Sequence, residues 1–248
     1  MTGPDDLLEL FTAAAVAVRE AVTAIPAADR RLRTSRPGQY ALDIVADDAA
    51  CAVLGRAPVR IVSEESGLHD RAGATVTVVV DPVDASTNFA RGIAYWATSI
   101  CALDADGPLA ALVVNQATGA QTIAVRGGGA TRDGVALRAS PETNLADAVV
   151  GLGALPAAPL GWKQSRMLGC CALALCEVAA GGLDAYLDPY ASHAPWDYLG
   201  AMLACTEAGA VVRDPRGTPL VTDAFDARRQ VVAGGTEEIV AMIERGLG

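Results

Sequence analysis

The segment Val78-Val79-Val80-Asp81-Pro82-Val83-Asp84-Ala85-Ser86-Thr87-Asn88-Phe89 sets two carboxylates and two hydroxyls directly behind a β-branched apolar run. A buried strand here would deliver Asp81 at its carboxyl end, where open α/β sheets gather their sites. Pro82 stiffens the turn. Asp84 is then predicted as the N-cap, with Ala85, Ser86 and Thr87 in the first helical turn and Ala85 at an ordinary helical φ. Asp81 and Asp84 can converge on one hard cation, because Mg²⁺ takes oxygen ligands and keeps waters for substrate. The free amides of Ala85, Ser86 and Thr87 can hold an anion. Metal and phosphate chemistry would thus be built within four residues of each other. Taken alone, the spacing equally describes a capped helix with surface acids.

Two further segments bear on that choice. Glu64-Glu65 follows another short apolar run, and adjacent acids repel unless solvated or neutralised by a cation. Trp196-Asp197 opens an apolar helix after Pro195. Each alone reads as an exposed turn or a helix cap. Together, in this order and spacing, they resemble the inositol monophosphatase family, within the lithium-sensitive, magnesium-dependent phosphatase superfamily that includes fructose-1,6-bisphosphatase. That family's pattern is an acidic pair, then D-P-[IV]-D-G-[ST]-x-N-F, then W-D with an apolar helix and E-A-G. The chain carries Glu64-Glu65, the segment from Asp81 to Phe89, and Trp196-Asp197 with Glu207-Ala208-Gly209.

The resemblance implies an αβαβα sandwich and a phosphomonoesterase using two or three Mg²⁺ ions. Glu64, Asp81 and the Val83 carbonyl would hold the first ion, and Asp81, Asp84 and Asp197 the second. Ser86 would orient the attacking water with an acid on the second helix. The family pattern there is D-x-V-T-x-x-D. Asp43-Ile44-Val45-Ala46-Asp47-Asp48 departs from it, and Asp48 is favoured over Asp47. Arg36 would be the family's upstream basic residue. Substrate contacts implied are Val83, Asp84, Ala85, Ser86, Gly169, Cys170, Cys171, Asp188 and Asp197. Ala85, Ala46 and Cys170 each replace a residue the family usually has, and Asp188 is a shortened acid. The leading substrate is inositol monophosphate. Fructose-1,6-bisphosphate, histidinol phosphate, 3′-phosphoadenosine 5′-phosphate and a catalytically weakened metal-binding relative remain alternatives. No covalent enzyme intermediate is needed, so His69 and His193 are not nucleophiles. Lithium inhibition and a homodimer are family expectations.

Helices are predicted over residues 5–25, 40–54, 165–180, 196–208 and 237–245, and strands near 59–62, 75–80, 97–103, 109–115, 121–126, 147–152, 184–188, 211–212 and 231–233. Their alternation suggests a layered α/β sandwich in two closely joined halves, 1–145 and 146–248. Gly127-Gly128-Gly129 reads as a turn without a nucleotide-loop context. With 52% hydrophobic and 19% charged residues the chain is not disordered. A net charge of −10 and no basic run argue against nucleic acid. No leader is read in the acidic start Met1-Thr2-Gly3-Pro4-Asp5-Asp6, and no apolar run spans a bilayer. The six cysteines lack CxxC spacing and read as reduced, mostly buried residues of a cytoplasmic protein.

Overall fold

The computed structural model describes residues 3–247. Met1 and Thr2, part of the start read above for a leader, lie outside them. The chain opens with α1 (Pro4–Thr23) and α2 (Ala41–Leu54). Leu7, Phe11, Ala14, Ala15, Val18 and Val22 recur at helical spacing and form the buried stripe of α1. The strands β1 (Arg60–Ser63), β2 (Gly67–His69) and β3 (Thr77–Asp84) follow, then the short α3 (Ser86–Arg91). A meander completes the first sheet: β4 (Ala97–Asp104), β5 (Gly107–Asn115), β6 (Gln121–Val125), β7 (Gly129–Arg132) and β8 (Val135–Ala136). Its eight strands lie in the order β2-β1-β3-β4-β5-β6-β7-β8, with only β1 and β3 parallel.

After a 3₁₀ turn at Leu145–Asp147 come β9 (Val149–Leu152), β10 (Gln164–Arg166), α4 (Cys171–Ala179), β11 (Ala185–Leu187), α5 (Pro195–Glu207), β12 (Val211–Arg213), β13 (Val232–Gly234) and α6 (Glu237–Leu247). The second sheet has the order β10-β9-β11-β13-β12. One core lies between α1, α2 and the first sheet. A second surrounds α4 and α5 between the two sheets, and a third lies under α6. The layers therefore alternate helix, sheet, helix, sheet, helix.

The expected helix over 165–180 starts only at Cys171. Gln164–Arg166 is instead an edge strand paired with β9 through its backbone, which its polar sequence could not signal. The strands β2, β7 and β8 are additions of the same kind, short and at or near a sheet edge.

α5 crosses the first sheet at Gly200. A Cβ there would lie 3.1 Å from Ser99 Oγ, 3.3 Å from Val113 Cγ2 and 3.4 Å from the Ile100 carbonyl. At its far end the Glu207 carboxylate accepts the amides of Gly127 and Gly129 at 2.8 and 2.9 Å, locking the glycine turn between β6 and β7. Replacing Gly200 by Val is expected to cost about 1–3 kcal/mol by overpacking. Urea unfolding would read it as a lower midpoint at unchanged slope.

Candidate active site

Glu64, Asp81, Asp84 and Asp197 come together from three separate pieces of chain. Glu64 continues β1, its amide donating to the Val80 carbonyl at 3.2 Å. Asp81 and Asp84 flank a bulge in the β3–β4 ladder, where the register shifts. The bulge is held by Thr98, whose hydroxyl donates to the Pro82 carbonyl at 2.8 Å, and by the Val83 amide, which donates to Asp81 Oδ1 at 3.0 Å. Asp197 is the third residue of α5, and its Oδ2 accepts the Ala194 amide at 2.7 Å, capping its own helix.

These acids are poorly solvated and repel one another. Burial pushes the Glu64 carboxyl up to about 8, helped by Asp197, Glu65 and Asp84. Asp81 is raised well above the carboxylate range by burial and then by Glu64, Asp84 and Asp197. Asp84 is raised by burial and Asp197 to about 6. Among the described residues no three side chains already form a closed metal cage. Instead the acids use oxygens on protein donors: Asp84 Oδ2 accepts Cys170 Sγ at 3.0 Å and the Ala172 amide at 2.8 Å. The donor set is nevertheless all oxygen and its charge is uncompensated. That fits a hard divalent cation such as Mg²⁺ and no soft metal.

Beside the acids, Ala85 rather than Asp84 is the N-cap of α3. It stands at φ 73°, ψ 46°, in the left-handed region. The ordinary helical φ expected there is thus wrong: the chain must turn sharply out of β3, and the methyl group is carried at a steric cost. Ser86 opens the helix.

The acid that shares a cavity with Ser86 is Asp43, together with Glu64 and Glu65, and burial raises its carboxyl to about 6. It is the third residue of α2; its Oδ2 accepts the Tyr40 amide at 2.7 Å, and its buried Oδ1 has no protein partner. Asp48, expected in this role, is exposed on another face of the helix, and Asp47 is buried against Ser63. Arg36 donates to Glu65 Oε2 at 3.1 Å and Gln39 also bonds Glu65, so Arg36 neutralises the second acid of the pair.

On the other side a cavity of about 170 Å³ is lined by Asp84, Gly169, Cys171, Tyr186, His193 and Asp197, among others. Tyr186 Oη and His193 Nε2 lie 2.7 Å apart, and His193 Nδ1 is 3.5 Å from Asp197 Oδ2. Asp188 does not reach it. It is fully buried and accepts the amides of Tyr190 and Ser192 at 3.1 and 2.7 Å, shaping its own loop.

The model of the inositol monophosphatase family matches residues 34–245, which include all of these acids. The chain belongs to that family. It is 30% identical over 206 residues to a fructose-1,6-bisphosphatase of Pyrococcus furiosus, covering 82% of this chain and 80% of that one. It is 33% identical over 201 residues to an inositol-1-monophosphatase of Mesorhizobium japonicum, covering 73% and 74%. A solved Pyrococcus horikoshii protein described as similar to inositol-1 monophosphatase superposes with a TM-score of 0.89 over 98% of each chain, at 24% identity, and shares the fold.

Members of the family hydrolyse phosphate monoesters, and this chain is a phosphatase of that kind. Asp43 could have been found from the sequence, since Tyr40 as N-cap puts it at the third helical position, as Ala194 does for Asp197. The Tyr186–His193 pair carries no local signal, because its members sit on a strand and a loop.

The raised carboxyls link folding to pH. Glu64 binds its proton more tightly folded, at about 8, than unfolded, at 4.5. Stability present below the lower value is lost as pH rises through the higher one. In EDTA the thermal midpoint is expected to fall between pH 5 and pH 8, and Glu64→Gln to flatten that slope. An equally steep decline in the variant would contradict this.

Proposed function

We infer that the enzyme is a Mg²⁺-dependent phosphomonoesterase of small phosphorylated polyols or sugars, with inositol monophosphate the first candidate. The observation that carries this is the cluster of buried Asp81 and Asp84 with half-buried Glu64 and Asp197, in which the raised carboxyls of Glu64, Asp81 and Asp84 call for cations. Glu64, Asp81 and the Val83 carbonyl would hold one ion, and Asp81, Asp84 and Asp197 another. Mg²⁺ when bound offsets the phosphoryl charge and makes a water nucleophilic near neutral pH.

The chain's own groups do the rest. Ser86 and Asp43 line one cavity, and Asp43 Oδ1 is free of protein partners; the Ser86 hydroxyl would donate to that oxygen, leaving its own oxygen to accept from the attacking water and fix its direction. The amides opening α3 face the phosphoryl oxygens without reorganising. Cys170 and the Ala172 amide hold Asp84 in place. Gly169, Cys171, Tyr186 and His193 surround the leaving group.

A bisphosphate is the second reading, favoured by the Pyrococcus furiosus relative. The small pocket offers His193 as its one basic lining residue, which supports a single phosphate first. Inhibition by Li⁺ belongs to the same reading. A homodimer is supported by exposed Leu155, Met167, Leu168 and Tyr190, and a reducing compartment such as the cytoplasm by six free cysteines. No helix of the described residues is long and apolar enough to cross a membrane.

The test is phosphate release from a panel containing inositol 1-phosphate and fructose 1,6-bisphosphate. Release is expected with Mg²⁺ and none after EDTA; metal-independent release would sink the reading. Asp84→Asn is expected to abolish turnover while the fold persists by circular dichroism. Asp43→Asn should lower kcat by roughly 100-fold or more, whereas Asp48→Asn should leave it near the wild-type value.

A further inference from the structure

On a chain of net charge −10, one surface concavity has three arginines and no carboxylate in its lining. Arg30, Arg31 and Arg91 surround about 360 Å³, floored by Ala27, Ala28 and Ala90. The pocket lies between the chain leaving α1 and the carboxyl end of α3. It shares no residue with the carboxylate cluster or the leaving-group cavity.

The guanidiniums are held from behind. Arg30 Nε donates to the Ile25 carbonyl at 3.2 Å, and its guanidinium lies 4.8 Å over the Phe89 ring. Arg31 Nε donates to the Ala90 carbonyl at 3.4 Å. The terminal nitrogens of both arginines, and the Arg91 side chain, make no hydrogen bond among the described residues, and none of the three forms an ion pair there, whereas Arg36, Arg60, Arg126, Arg132 and Arg213 all do. Like charges gathered without a counterion are unfavourable, and a planar guanidinium fork matches phosphoryl oxygens in charge and geometry. The alanine floor leaves room for a compact group and supplies nothing else to recognise.

We propose that Arg30, Arg31 and Arg91 form a second anion site, separate from the active centre, that takes a compact phosphoryl dianion. The ligand is either free inorganic phosphate or the phosphoryl end of a larger monoester, since both present the same oxygens.

Equilibrium dialysis of inorganic phosphate against the Mg²⁺-loaded enzyme tests this. A phosphate-binding event is expected to persist in Asp84→Asn and to disappear in the double variant Arg31→Ala/Arg91→Ala. Arg91→Ala alone has no protein hydrogen bond to lose, and is expected to weaken that event roughly tenfold. Methylphosphonate, which cannot be hydrolysed, separates the two sources: equal affinity identifies an esterified phosphoryl group, and preference for inorganic phosphate identifies the free ion. Isotherms of the arginine variants that superimpose on the wild type, or no binding to the wild type at millimolar phosphate, would overturn the proposal. Binding is read independently of turnover, so loss of hydrolysis and loss of this site are separate results.

Discussion

Two buried carboxylates and two half-buried ones are gathered together, and the surrounding structure is what holds them there. Acids so placed would move apart if the chain allowed it. It does not, because each is fixed by something other than its neighbours. The bulge in β3 sets the distance between Asp81 and Asp84. Asp197 is pinned by capping α5. Asp84 is held by Cys170 and Ala172, which belong to the second half of the chain. The cluster therefore exists only when the two sheets are closed around α4 and α5, so assembly of the layers and assembly of the site are one event.

The same economy appears beside it. Asp43 and Asp197 occupy equivalent helical positions, and each satisfies the amide of its own N-cap with Oδ2. A short acid at the third position of a helix is locked by the backbone, which fixes where its other oxygen points. α3 is tied in the same way: the Asn88 amide donates to the Tyr95 and Leu168 carbonyls at 2.7 and 2.8 Å. The helix that begins at Ser86 is thereby joined to the loop carrying Gly169, so α3 and the cavity beside Asp84 are braced against one another.

Much of this was legible in the residues. The apolar stripes of α1 and α5 and the β-branched run of β3 announce their elements, and the three acidic motifs locate the cluster because their side chains stand at strand ends and helix starts. What could not be read has specific causes. Asp43 is legible once Tyr40 is taken as the N-cap, but its type does not separate it from Asp48, five residues on and on another face, and packing decides which face turns inward. Ala85 carries no mark of a left-handed backbone, and tertiary geometry imposes it. Asp188 has the right residue type after the right strand, yet its loop folds back and consumes both oxygens. Gln164–Arg166 is a strand by pairing alone, with no apolar face to show it.

Glu207 gives the family signature a different meaning from the one its acidity suggests. Its carboxylate touches neither the cluster nor the cavity; both oxygens clasp the glycine turn at the far edge of the first sheet. α5 is thus a beam with two fixed supports, anchored near the end that bears Asp197 by Tyr198, whose hydroxyl donates to the Leu220 carbonyl at 2.7 Å, and at the other end through Gly127 and Gly129. A beam held at both ends cannot slide or tilt without breaking a support. The position of Asp197 is in this way set in part about 15 Å away, by roughly 1.5 Å of helix for each of the ten helical steps from it to Glu207.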